Sequence, residues 1–144
     1  MNIASLFAVG FFASLAGTAS AASYYDGSTA LLCTAQRFHQ CDAEDGCVKV
    51  KAQEIGISRG QWIVDFKNKV VKPADPSIDK QSKIATVQMI EHTLYAQAIE
   101  LDKERNPDGV AWSLSVSDPD GAMTLAIATK DAAFVGTGIC VPTK

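Results

Sequence analysis

Apolar and polar residues alternate one for one along the last third of the chain. In Trp112-Ser113-Leu114-Ser115-Val116-Ser117 every second residue is apolar and each of the others is serine. Successive side chains of a strand point to opposite faces, so this pattern predicts a strand with one buried and one wet face. Asp118-Pro119-Asp120-Gly121 follows, a turn signal in which Pro presets φ and Gly accepts the positive φ that closes the turn. Alternation resumes in Met123-Thr124-Leu125-Ala126-Ile127-Ala128, so the three pieces predict a hairpin. Asn106-Pro107-Asp108-Gly109 predicts a similar turn ahead of the Trp112 strand. Upstream, Trp62, Val64 and Phe66 alternate with Ile63 and Asp65, and Lys67-Asn68-Lys69 turns the chain into Val70-Val71. Further strands are expected from Thr29 to Phe38, from Cys47 to Ala52, and from Ala133 to Val141 after a break at Lys130-Asp131.

Ile84 to Arg105 is ambiguous. Ile84, Val87, Leu94, Ala98 and Leu101 fit helical spacing, and no Gly or Pro interrupts them. The β-branched and aromatic content (Ile84, Thr86, Val87, Ile90, Thr93, Tyr95, Ile99) favours strands, and every neighbouring element is a strand. Two strands broken near Glu91-His92-Thr93 are the expectation. The fold is then all-β: a single small antiparallel β-barrel or clam of eight to nine strands, because open sheet edges invite aggregation and must be closed or covered.

Composition changes this picture mainly at the amino terminus. Met1 to Ala21 carries no charged side chain, has an apolar middle, and ends in Ala19-Ser20-Ala21, a small-x-small site of the kind signal peptidase accepts. Residues 1–21 are therefore expected to be a cleaved signal peptide, with Ser20-Ala21-Ala22 as a competing site, leaving residues 22–144 as one β-rich domain. The apolar run is shorter than the ~20 residues a spanning helix needs. No other stretch approaches that length, so no membrane span is expected after cleavage. The formal charge of −3 resides wholly in the mature part and offers no basic stripe for nucleic acid.

Four cysteines, Cys33, Cys41, Cys47 and Cys140, follow the leader. An even count in an exported chain predicts disulfides. Of the three possible connectivities, Cys41–Cys47 with Cys33–Cys140 is expected. The first closes the acidic loop Asp42-Ala43-Glu44-Asp45-Gly46, and the second ties the first mature strand to the last. Cys33–Cys41 with Cys47–Cys140 is the alternative that would still staple the barrel end to end.

Chemistry is sparse. There is no Gly-x-Ser-x-Gly and no Cys-x-x-Cys. The two histidines, His39 and His92, fit no usual zinc spacing, and the Asp42–Asp45 loop lacks the calcium ladder. Glu54, Asp65, Glu91, Glu100 and Asp102 are scattered, and Gly136-Thr137-Gly138 leads into a strand rather than a helix. No catalytic residue, metal or cofactor is expected, and the protein is read as a non-enzyme. Trp62, Trp112 and Phe66 are the candidates to line a cavity inside the barrel, against the plainer expectation that aromatics fill such a core.

A Cys near the mature start, the Cys-x5-Cys loop, Trp112-Ser113-Leu114, Asp118 to Gly121, and the closing Phe134-Val135-Gly136-Thr137-Gly138-Ile139-Cys140 together form a pattern. It resembles small exported proteins of alphaproteobacteria to which no activity is attached. That resemblance implies a periplasmic β-rich domain with no catalytic residues to carry over. The gross plan is also similar to that of the periplasmic C-type lysozyme inhibitors, small β-barrels whose first and last strands are disulfide-linked. Their Ser-Gly-x-x-Tyr-like loop is missing, and Gly56-Ile57-Ser58-Arg59-Gly60 is the nearest exposed polar loop. The expected function is a periplasmic or secreted binding or interaction domain. Its partner would be a periplasmic protein or a small apolar ligand, with hydrolase inhibition or ligand carriage as alternatives.

Overall fold

A computed structural model describes residues 24–55, 57, 60–102 and 106–143. The expected leader, and Gly56, Ser58 and Arg59 of the polar loop, lie outside them. Ten strands form: β1 Leu31–Asp42, β2 Gly46–Val50, β3 Gln61–Asp65, β4 Val70–Pro73, β5 Ser82–Lys83, β6 Thr86–Ile90, β7 Thr93–Asp102, β8 Asn106–Ser117, β9 Ala122–Ala128 and β10 Ala133–Pro142. β5 has only two residues; the other nine match the expected number. There is no α-helix among the described residues.

The ambiguous stretch resolves into β6 and β7 with a tight turn at Glu91-His92, where Glu91 takes φ 51°. Its helical spacing loses to alternation: Leu94, Ala96 and Ala98 are buried while Tyr95, Gln97 and Ile99 between them are exposed. One expected turn is corrected. Asn106-Pro107-Asp108-Gly109 opens β8 instead of preceding it, with Asn106 opposite Asp102. β9 reaches β8 only from Ala111 onward, so this part of β8 is paired on one side alone, where a Pro without an N–H is tolerated.

All pairings are antiparallel, in the order β5-β4-β3-β1-β10-β9-β8-β7-β6. β1 is long enough to hold β3 along its first half and β2 along its second. The sheet curls into a half-barrel whose two outermost strands, β5 and β6, are consecutive in the chain. Where they meet, the Ile84 N–H donates to the Lys69 carbonyl and the Ala85 N–H to the Gln97 carbonyl, both at 2.9 Å. One short segment thus bonds to both margins of the sheet.

The inward face carries Leu31, Cys33, Val64, Leu94, Leu114, Val116 and Cys140, all nearly free of solvent contact. Each large aliphatic buried this way contributes about 1.5–3 kcal/mol. A bulge at Gln36 keeps β1 in phase with this core. Ala35 faces Gly138 and Arg37 faces Thr137, so one extra residue switches the inward parity from Cys33 to Phe38. Gly136 then makes room for the Phe38 ring: a Cβ there would stand 2.6 Å from Phe38 Cε1. At the hairpin between β8 and β9, Gly121 takes φ 69°, and a Cβ would also collide with the Cys140 carbonyl.

Both disulfides form as expected, Cys33–Cys140 and Cys41–Cys47. Each joins residues directly opposite in register, one pair between β1 and β10 and the other between β1 and β2. Two such bonds point to an oxidising, extracytoplasmic environment.

Candidate functional site

One end of the curled sheet is filled by core side chains, and the other holds a cavity. At the filled end Tyr25, Phe66, Leu94, Val116 and Met123 belong to one core. The Tyr25 hydroxyl donates to the Cys140 carbonyl at 3.2 Å. A Cβ on Gly27 would touch Leu94 and Phe66 at 3.6 and 3.7 Å, so the chain before β1 passes closely over them.

At the opposite end, among the described side chains, β7 turns Ala98 and Glu100 inward. Ala98 stands across the ladder from Trp112, and Glu100 from Val110. Glu100, Val110 and Trp112 line a cavity of about 640 Å³ at this end. That lies within the roughly 300–1,000 Å³ usual for small-molecule sites. Trp62 of β3, Trp112 of β8 and Phe134 of β10 form its aromatic walls, with Leu114, Leu125 and Ile127 behind them. Ile55 and Ile57, from the connection between β2 and β3, add to the apolar lining with Val71 of β4 and Val110 of β8.

Ser82, Glu100, Thr129, Lys130 and Asp131 supply the polar groups among the described lining residues. The Trp112 Nε1–H donates to Glu100 Oε1 at 2.9 Å, a bond between diagonal neighbours on adjacent strands. Lys130 and Asp131 stand exposed on the rim, in the turn between β9 and β10. Thr129 fixes that turn: its N–H and hydroxyl donate to the Ala132 carbonyl at 2.9 and 2.8 Å. The Ala132 N–H donates back to Thr129 Oγ1 at 3.1 Å.

Of the three residues expected to line a cavity, Trp62 and Trp112 do so. Phe66 does not. It follows β3 toward the end where Val64 faces Leu31, and it is buried in the filled end. Cys33 and Cys140 are fully buried, with Cys33 also opposite Trp62 across β3, while Cys47 is exposed at the far tip of the β1–β2 hairpin. The acidic loop there is a turn organised by its own first residue. Asp42 Oδ1 accepts the N–H of Asp45 at 2.7 Å and of Glu44 at 3.1 Å, which holds its carboxyl below the usual value. Asp120 likewise accepts the Ala122 N–H at 3.0 Å. His39 is exposed, opposite Lys49 and Val135. Among the described residues no group of three His, Cys, Asp or Glu side chains stands close enough to hold a metal ion.

Of the other lining residues, which the sequence reading did not place in a cavity, Phe134 and Glu100 had a usable signal. Phe134 is in phase with Cys140, whose bond to Cys33 fixes the inward parity of β10. Glu100 is in phase with Leu94, Ala96 and Ala98. No protein-family profile, no curated protein and no solved structure matches the chain.

Proposed function

We propose that this protein is a non-enzymatic binding domain of the periplasm or extracellular space that holds a small, largely apolar ligand in the open end of its curled sheet. The observation that carries this reading is the aromatic cavity. Trp62, Trp112 and Phe134 come from three different strands and leave space between them, whereas the opposite end of the same sheet is filled. Disulfides and the reading of residues 1–21 as a leader support the location. The test combines mild purification, native mass spectrometry and uptake of a hydrophobic dye. Dye fluorescence that saturates near one equivalent, and falls in Trp62→Ala, is expected. A bare chain that takes up no dye overturns the proposal. Inhibition of a cell-wall hydrolase is the second reading, supported by the bond between the first and last strands. Stoichiometric slowing of lysozyme by ligand-free protein would favour it.

A further inference from the structure

The chemistry of the cavity wall narrows the ligand class. Among the described residues its inward-facing acidic group is Glu100, half-buried and held by the Trp112 indole through Oε1. Among the described residues Trp112 is its hydrogen-bond partner, so Oε2 retains acceptor capacity on the cavity side of β7. The rim supplies one charge of each sign, Lys130 and Asp131, so the described part of the lining carries a formal charge of −1. Two tryptophans and a phenylalanine line the same cavity, Trp112 in direct contact with the carboxylate. Aromatic rings attract cations through their quadrupole, tryptophan most strongly, and the effect grows where water is excluded. Apart from the hydroxyls of Ser82 and Thr129, the remaining described side chains of the wall are aliphatic, so methyl groups find more partners there than N–H donors do.

Resting on the ligand-carrier reading above, we infer that the cavity selects an organic cation: a methylated ammonium group lodged between Trp62, Trp112 and Phe134, with its charge balanced by Glu100. A neutral apolar molecule of the same shape fills the space but leaves the carboxylate without a counter-charge. An anionic ligand meets Glu100 directly and is rejected.

Choline and its neutral carbon isostere, 3,3-dimethyl-1-butanol, test this with one atom and one charge changed. Both are titrated into the full-length mature protein, followed by tryptophan fluorescence and calorimetry. Choline is expected to bind at least tenfold more tightly than the isostere. Glu100→Gln keeps an oxygen acceptor for Trp112 but removes the charge, so it is expected to abolish most of this preference, with choline affinity falling toward or below that of the isostere. Equal affinity for the two probes, or a preference that survives in Glu100→Gln, overturns the inference. Hydrophobic dye uptake in that case leaves the carrier reading standing. Absence of binding by both probes and by the dye removes the two together.

Discussion

Gly136 and Phe38 show how closely single residues are matched across the core. The Phe38 ring is 2% exposed and lies where a side chain at position 136 would go, with three ring atoms between 2.6 and 3.1 Å from the site of a Cβ. A buried ring wedged between β2 and β10 has little freedom to retreat. Gly136→Ala is therefore expected to cost about 1–3 kcal/mol of stability, the usual range for overpacking. A urea midpoint unchanged from wild type would show that the ring moves freely. Phe38→Leu should recover part of the loss when combined with Gly136→Ala, because residues in contact do not add independently.

At the level of elements, what could be read from the sequence depended on parity. Strict alternation placed Leu114, Val116, Met123 and Leu125 on the buried face, and the Pro-Asp-Gly turn joined their strands. Cysteine placement made both pairings readable, since opposite positions at the mouth of a hairpin and on the first and last strands are natural neighbours. The site was less legible because a cavity depends on which inward residues come level across strands. That alignment is set by register, and register here is shifted by bulges at Gln36 and between Glu100 and Asp102. Phe66 continues the alternation of Trp62 and Val64, yet it lies in the opposite end of the sheet. The two disulfides also differ as elements. By the chain-entropy account the Cys33–Cys140 bond stabilises by about 5 kcal/mol and the short Cys41–Cys47 loop by about 2. Replacing Cys33 and Cys140 with Ala should thus lower the urea midpoint far more than replacing Cys41 and Cys47 with Ser. Reduction of the intact protein should open Cys41–Cys47 first, because Cys47 is exposed and the other pair is buried. Simultaneous loss of both bonds in a mass-resolved time course would contradict this ordering.

For the whole molecule, acid is the condition that acts on several turns at once. The side chain and backbone N–H of Ser28 hold the Asp26 carboxyl low, the Asp45 N–H does so for Asp42, and the Asn68 backbone and side chain for Asp65. A folded-state value below the ordinary 3.8 means stability present above that pH and lost as pH falls through the lowered values. The urea midpoint should fall between neutral pH and pH values below 3.8, and Asp65→Asn should flatten that fall. An equally steep fall in Asp65→Asn would mean that its turn is not coupled to folding. The sheet responds differently to a pull than to acid. Leu31 lies opposite Pro142 and Leu32 opposite Val141, and the next rung is the covalent Cys33–Cys140 pair. Tension applied through the two flanks of the domain can therefore break the Thr143–Ala30 hydrogen bonds and unzip these two pairs before a covalent bond takes the load. Everything from Cys33 to Cys140, the cavity included, is then mechanically shielded, and only a reductant exposes it to force.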